Sequence, residues 1–428
     1  MRMAWTASLI LLAAGSAAAF YEGSDGVFEG LPEDPAIGYP GPTQDPVADL
    51  SLKLEAGSVE LKYDESTGYL RSVLDALHVP IQSQIVAMSK TSVQQYIISP
   101  QNPRTLYFND SVIVGYVRGG FIELAAQDPR QGMIFYTLGR NGRHGASGRM
   151  DKPTFLRENS CLSCHVSYSS LGVAGTLLHS VFPAPDGTAL YQAGRYETDH
   201  RSPFDQRYGG WYVTGEAGPA RHMGNAFFTN PDTAEPPAKG ALLPSLTSRI
   251  DTSLYLSPYS DIVALLVFNH QMHMMNLLTR VGWEVRAAKL EQPASLPSRL
   301  KKTAEEFVDY LLFVDEAPLG GKVKGNSGFA EMFAAQGPRD KQGRSLRQFS
   351  LENRVMRYPC SYMIYTGAFD ALPAEAKDAI YQRLWSVLSG QVSGGKYDAL
   401  SLADRKAVLE ILQDTKKGLP AYFGTAVR

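Results

Sequence analysis

Cys161, Cys164 and His165 stand in the run CLSCH, the one place in this chain where residue types and spacing specify a covalent chemistry. In a Cys-x-x-Cys-His pentapeptide the two thiols can add across the two vinyl groups of a porphyrin. The adjacent imidazole is then set beneath the iron as a proximal ligand. A thiol redox pair is a rival use of the two cysteines, but it calls for a helix start after a strand in a βαβ setting, which the residues around Asn159 do not offer. A zinc site calls for a second Cys or His pair at matching spacing, and the chain has only one further cysteine, Cys360. The expectation is one covalently attached haem c, held by Cys161, Cys164 and His165.

The opposite face of such an iron needs a Met, a His or an open position. The run RHMGN places His222 and Met223 in a Gly-rich stretch after the motif, with Met223 the first choice for sixth ligand and His222 the second. His270, His273 and Met274 recur at i, i+3 and i+4 and share one helical face, fit for a distal wall, for a second metal site or simply for core. His144, His179 and His200 are further possible ligands. Arg195, Arg201, Arg207 and Arg221 crowd the region of the motif, and the planar guanidinium suits haem propionates. Trp211, Tyr212, Phe227 and Phe228 can supply dry aromatic walls. Cys360, in RYPCSYMIY, reads as a buried free thiol. No catalytic residue is specified.

The segment FLRENSCLSCH resembles the haem-binding turn of class I cytochromes c, and a later Met is similar to their axial ligand. The likeness covers the pentapeptide and a few residues before it, so it implies attachment and says little of fold. Those cytochromes are short and all-helical, whereas strand-like runs precede this motif and hairpin-like runs follow it. The runs YFNDSVIVGYVRGG, YGGWYVTG with RHMGN, and RYPCSYMIYTGAFDALP, together with CLSCH, look like a group of large exported single-haem bacterial proteins. That likeness brings no reaction and does not choose the sixth ligand.

The elements that must position these residues are legible in outline. Residues 1–19, with Arg2, an apolar middle and a small-residue end, read as a secretory signal peptide, which implies a periplasmic protein. Residues 20–50 are Gly-, Pro- and Asp-rich and read as a linker or draped segment. A short helix is expected around 69–77. TLYFND, SVIVGYV, FIELAAQD and MIFYTL predict an antiparallel meander over 105–138, within a β-rich region of 51–138. Region 139–250 holds the motif and a hairpin expected from LLHSVFP and TALYQ across Ala-Pro-Asp-Gly. Region 251–428 is helical: a long apolar helix from DIVALLVFNHQ onward, then helices over 297–316, 374–388 and one opened by Ser401. The fold class is α+β.

The charge balance, 41 basic against 43 acidic residues, argues against nucleic acid as the main partner. Past the leader, no run is apolar and long enough for a membrane span. The function expected is periplasmic electron transfer to a redox partner protein. A haem-dependent oxidoreductase with an open distal face, or a haem-based sensor or interaction protein, are the alternatives. A dihaem peroxidase would need a second CxxCH, which is missing.

Overall fold

In the computed structural model, residues 34–139, 152–237, 243–291 and 293–424 are described. The expected signal segment, residues 1–19, and His144 lie outside them. The chain opens with helices α1 (Pro46–Glu55) and α2 (Leu70–Ala76), followed by strands β1 (Ile85–Ala87), β2 (Arg104–Phe108), β3 (Val112–Val117), β4 (Ile122–Asp128) and β5 (Gly132–Leu138). β6 (Leu156–Arg157) leads into the short helix α3 (Leu162–His165), and β7 (His179–Val181), β8 (Arg195–Glu197) and β9 (Trp211–Tyr212) follow. The rest is helical: α4 (Ile262–Glu291), α5 (Leu296–Leu311), α6 (Phe329–Ala335), α7 (Gly367–Asp370), α8 (Ala374–Leu388) and α9 (Leu402–Thr415). The architecture is α+β, with strands in the first half and helices toward the end.

The meander forms where its sequence places it, and local chemistry explains the turns. Asn109 closes the β2–β3 hairpin by accepting the Ser111 and Val112 amides at 3.0 and 2.9 Å. Asp128 does the same for Arg130 and Gln131 before β5, where Gly132 has φ of 87°. The resulting antiparallel sheet runs β6-β5-β4-β3-β2-β1-β9. Strand β3 is buried along its whole length because both faces of the sheet are covered.

One face, with Leu106, Phe108, Ile113, Met133 and Phe135, shares a core with the helical region. The other, with Tyr107, Val114, Tyr116, Leu124 and Tyr136, packs on α2 and on Ile37, Tyr39, Val47 and Leu50. So the Gly/Pro-rich stretch, from residue 34 on, delivers apolar side chains to the core, and α1 already begins at Pro46 within it. The expected hairpin after the motif is rearranged. Its Ala184-Pro-Asp-Gly187 turn exists, with the Ala184 amide bonded to the Thr188 carbonyl at 2.7 Å. TALYQ contributes a single bridge, Pro183 to Ala189, and β7 pairs instead with β8, His179 opposite Glu197.

Helix α4 is the spine. It lacks proline and is apolar on most sides, so it is buried nearly end to end, as expected. Buried Asp261 caps it, accepting the Val263 and Ala264 amides through one oxygen. Its other oxygen accepts the Asn326 and Ser327 amides, which ties the loop before α6 to the start of the spine. α8 and α9 occupy the expected stretches, the latter capped by Ser401, which accepts the Asp404 amide at 3.1 Å.

Candidate functional site

β6 brings the chain to the motif along the edge of the sheet, paired with β5. Glu158 then starts the turn by accepting the Ser160 amide and hydroxyl at 3.2 and 2.7 Å. Cys161 is half-buried and Cys164 exposed, and both are free thiols. Burial, helped by the carboxylates of Glu158 and Glu123, pushes the Cys161 thiol up to about 11. A thiol redox pair depends on an easily formed thiolate, so this environment disfavours that use of Cys161.

His165 is gripped from two sides by one residue. Its carbonyl accepts the Gly175 amide at 3.0 Å, and its Nδ1 lies 2.8 Å from the Gly175 carbonyl oxygen. A carbonyl only accepts, so Nδ1 carries the proton of the ring. Burial holds this imidazole below its ordinary value, hence neutral, with the lone pair on Nε2. Phe135 on β5 supports the ring at 4.5 Å between centroids. An imidazole whose other nitrogen donates to a backbone carbonyl is the arrangement that fixes tautomer and direction in a metal-ligating histidine.

Gly175 is itself placed by the spine. Asn276 of α4 bonds both the amide and the carbonyl of Thr176 at 2.8 Å. A Cβ on Gly175 would fall 2.3 Å from the Asn276 Oδ1, so the position admits no larger residue without a shift.

Near the imidazole, the Arg104 guanidinium and the Glu123 carboxylate act on His165 in opposite senses. Arg104 and Glu123 form an ion pair across β3, and Gly115 leaves room for it: a Cβ there would meet both side chains at 3.0 to 3.1 Å. Arg104 Nε and His179 Nε2 are buried without a hydrogen-bond partner. Beside the segment after the motif lies a cavity of about 330 Å³. Its walls include Tyr168, Thr176, His179, Arg201, His273 and Arg280.

The remaining sequence candidates divide by location. Met223 is fully buried, and its sulfur accepts from Ser180 Oγ at 3.6 Å. His222 is buried near Phe204 and Tyr208, with Nδ1 accepting the Gly224 amide, and burial pushes it down to about 4. Arg207 is buried and spends Nε and Nη2 on the carbonyls of Ser202 and His200. Arg195 pairs with Glu197, and Arg221 with Asp205, at the surface. Arg201 lines the cavity but is paired with Asp199. Buried Trp211 donates its indole N–H to the His179 carbonyl at 2.9 Å.

The α4 histidines separate. His270 bonds His200, Nδ1 to Nδ1 at 2.7 Å, and Ser361 Oγ at 2.7 Å. A hydroxyl, an imidazole and a second base in line have the distances of a nucleophile relay. All three are sealed in the core, so no substrate reaches them. His273 turns to the cavity, where its Nε2 lies 3.3 Å from Arg201 Nη2. Met274 is buried core. Among the described residues no group of three or more His, Cys, Asp or Glu side chains is arranged to hold a metal ion. Cys360 is fully buried, and burial pushes its thiol up.

Gly175, Asn276, Phe135 and the Arg104–Glu123 pair escaped the sequence reading. Gly115 inside a β-branched run was the one available signal for the last of these. Compared with known proteins, the chain matches no family model, no curated protein and no solved structure.

Proposed function

We propose that this chain is an exported c-type cytochrome that carries one haem, thioether-linked at Cys161 and Cys164 and ligated by His165, and that passes electrons to a redox partner protein in the periplasm. The observation that carries this reading is the His165 imidazole, one residue past two free cysteines, with Nδ1 anchored on the Gly175 carbonyl and Nε2 left as a bare lone pair. The bound haem would supply one-electron chemistry through its iron. The chain's part is to hold the His165 imidazole against Phe135 and Gly175, fix its tautomer and direction, and bury it from water. Free thiols, oriented imidazole and the unpartnered buried nitrogens beside them fit such a group.

A second reading, a haem-dependent oxidoreductase with an open distal face, is favoured by the cavity beside the segment that follows the motif, since a carrier has no use for a substrate space. No described helix is long and apolar enough to cross a membrane.

The test is expression together with a haem-attachment system. The purified protein should keep its haem colour through denaturing electrophoresis, and Cys161→Ser with Cys164→Ser should lose it. A wild-type mass equal to that of the bare polypeptide would overturn the reading.

A further inference from the structure

We propose that His179 supplies the sixth ligand, so that the iron is held between His165 and His179 and has no open face. This rests on haem attachment at Cys161 and Cys164 as proposed above.

Four observations converge on His179. It opens β7, where the ladder with β8 sets it opposite Glu197 and the Trp211 indole holds its carbonyl, so its backbone is pinned on two sides. Its Nε2 is buried and makes no hydrogen bond, and the nearest carboxylate oxygen, on Glu197, is 4.0 Å away, beyond hydrogen-bond reach. A buried donor or acceptor in a native fold has a partner as a rule, and a ligating nitrogen finds its partner in the metal. Its side chain lines the cavity that adjoins the segment after the motif, and Thr176 on the same wall follows directly on Gly175, the residue bonded to the His165 ring.

The other candidates are engaged or face elsewhere. Successive side chains of a strand point to opposite faces, so Ser180 points away from the face that carries His179. Met223, whose sulfur meets Ser180 Oγ, therefore lies behind β7 relative to His179. His222 also has an unbonded Nε2, but its Nδ1 accepts the Gly224 amide, which puts the proton of the neutral ring on Nε2, and Phe204 and Tyr208 enclose it. His200 and His270 are bonded to each other, and the unbonded Nε2 of His200 lies in the core, where the ring stacks on Tyr310 and Phe313 away from the cavity wall. His273 reaches the cavity, but the Arg201 guanidinium faces its Nε2. Of the described histidines on that wall, His179 alone presents a nitrogen with nothing bound to it.

Two imidazole ligands suit electron transfer, whereas an open face suits small-molecule chemistry. The assignment therefore favours the carrier over the oxidoreductase. The cavity then serves as the space next to the distal ring, not as a substrate site.

The test compares ferric and ferrous spectra of the haem-loaded wild type, His179→Ala, His179→Met and Met223→Ala, with haem stain on denaturing gels as an independent measure of attachment. The wild type is expected to show bis-imidazole electron paramagnetic resonance, to lack the long-wavelength sulfur-to-iron band and to refuse carbon monoxide. His179→Ala should keep its covalent haem, bind carbon monoxide, and return to the low-spin spectrum when imidazole is added. His179→Met should gain the sulfur band, and Met223→Ala should match the wild type. A haem-stained His179→Ala with an unchanged spectrum, or a sulfur band in the wild type that Met223→Ala abolishes, overturns this assignment and leaves the attachment reading standing. A wild type without covalent haem overturns both.

Discussion

Asn276 and Thr176, a hundred residues apart in the chain, are joined by a pair of hydrogen bonds: the Asn276 Oδ1 accepts the Thr176 amide and its Nδ2 donates to the Thr176 carbonyl, each at 2.8 Å. Through this clamp the spine helix decides where the Gly175 carbonyl points, and so how the His165 ring is turned. Asn276→Ala leaves an amide and a carbonyl buried without partners, at about 1–3 kcal/mol for each group. Denaturant unfolding should show a loss of about 2–6 kcal/mol. Gly175→Ala should be destabilising as well, because its Cβ meets the same Oδ1. An unchanged midpoint in both variants would refute the clamp.

Asp261 serves two elements with one carboxylate. Replacing it by Ala removes the cap of α4, at about 0.5–2 kcal/mol, and strips the Asn326 and Ser327 amides of their acceptor. Asp261→Asn retains an oxygen for the helix cap while its amide group opposes two N–H donors, so its loss should be intermediate. Urea midpoints at matched slopes separate the three proteins.

Acid should weaken the fold through α4. Burial pushes His270 down to about 3 and His273 to about 4, from an ordinary value of 6.5. The unfolded chain therefore takes up these protons first. Their contribution to stability is complete above about 6.5 and is lost as pH falls from there toward 4 and then 3, at about 1.4 kcal/mol per pH unit for each group while it titrates. Unfolding curves at several pH values should show this slope in the wild type and a shallower one in His270→Gln. Equal slopes would remove His270 as a source.

Thiol reactivity should rank by burial. In protein made without haem attachment, a disulfide reagent should modify exposed Cys164 first and half-buried Cys161 slowly, with its thiol raised to about 11. Cys360 should react only in denaturant. Thiol counts before and after unfolding check the order, and a native Cys360 that reacts as fast as Cys164 would contradict its burial.

Local pattern carried much of the architecture. The β-branched and aromatic runs, punctuated by Asn109, Arg118-Gly119-Gly120 and the Asp128 turn, contain what four strands need, and they form. The spine helix, α8 and the Ser401 cap follow from apolar spacing and a polar start, both of which act within a few residues. Residue type and spacing at CLSCH likewise name a chemistry with no knowledge of the fold. Pairings between distant segments were a different matter. TALYQ had as good a claim to β7 as Arg195–Glu197, and the choice fell to the latter once the sheet and Trp211 had set where β7 lies. His270 and His273 share a helical face in projection, yet one is drawn to His200 in the core and the other opens on the cavity. Nothing in the spacing of residues marks Asn276 as the partner of Thr176, or leaves His179 rather than Met223 with an unbonded atom. Such contacts arise only when the helix is laid across the sheet, because side chains a hundred residues apart meet through packing and not through any rule of periodicity.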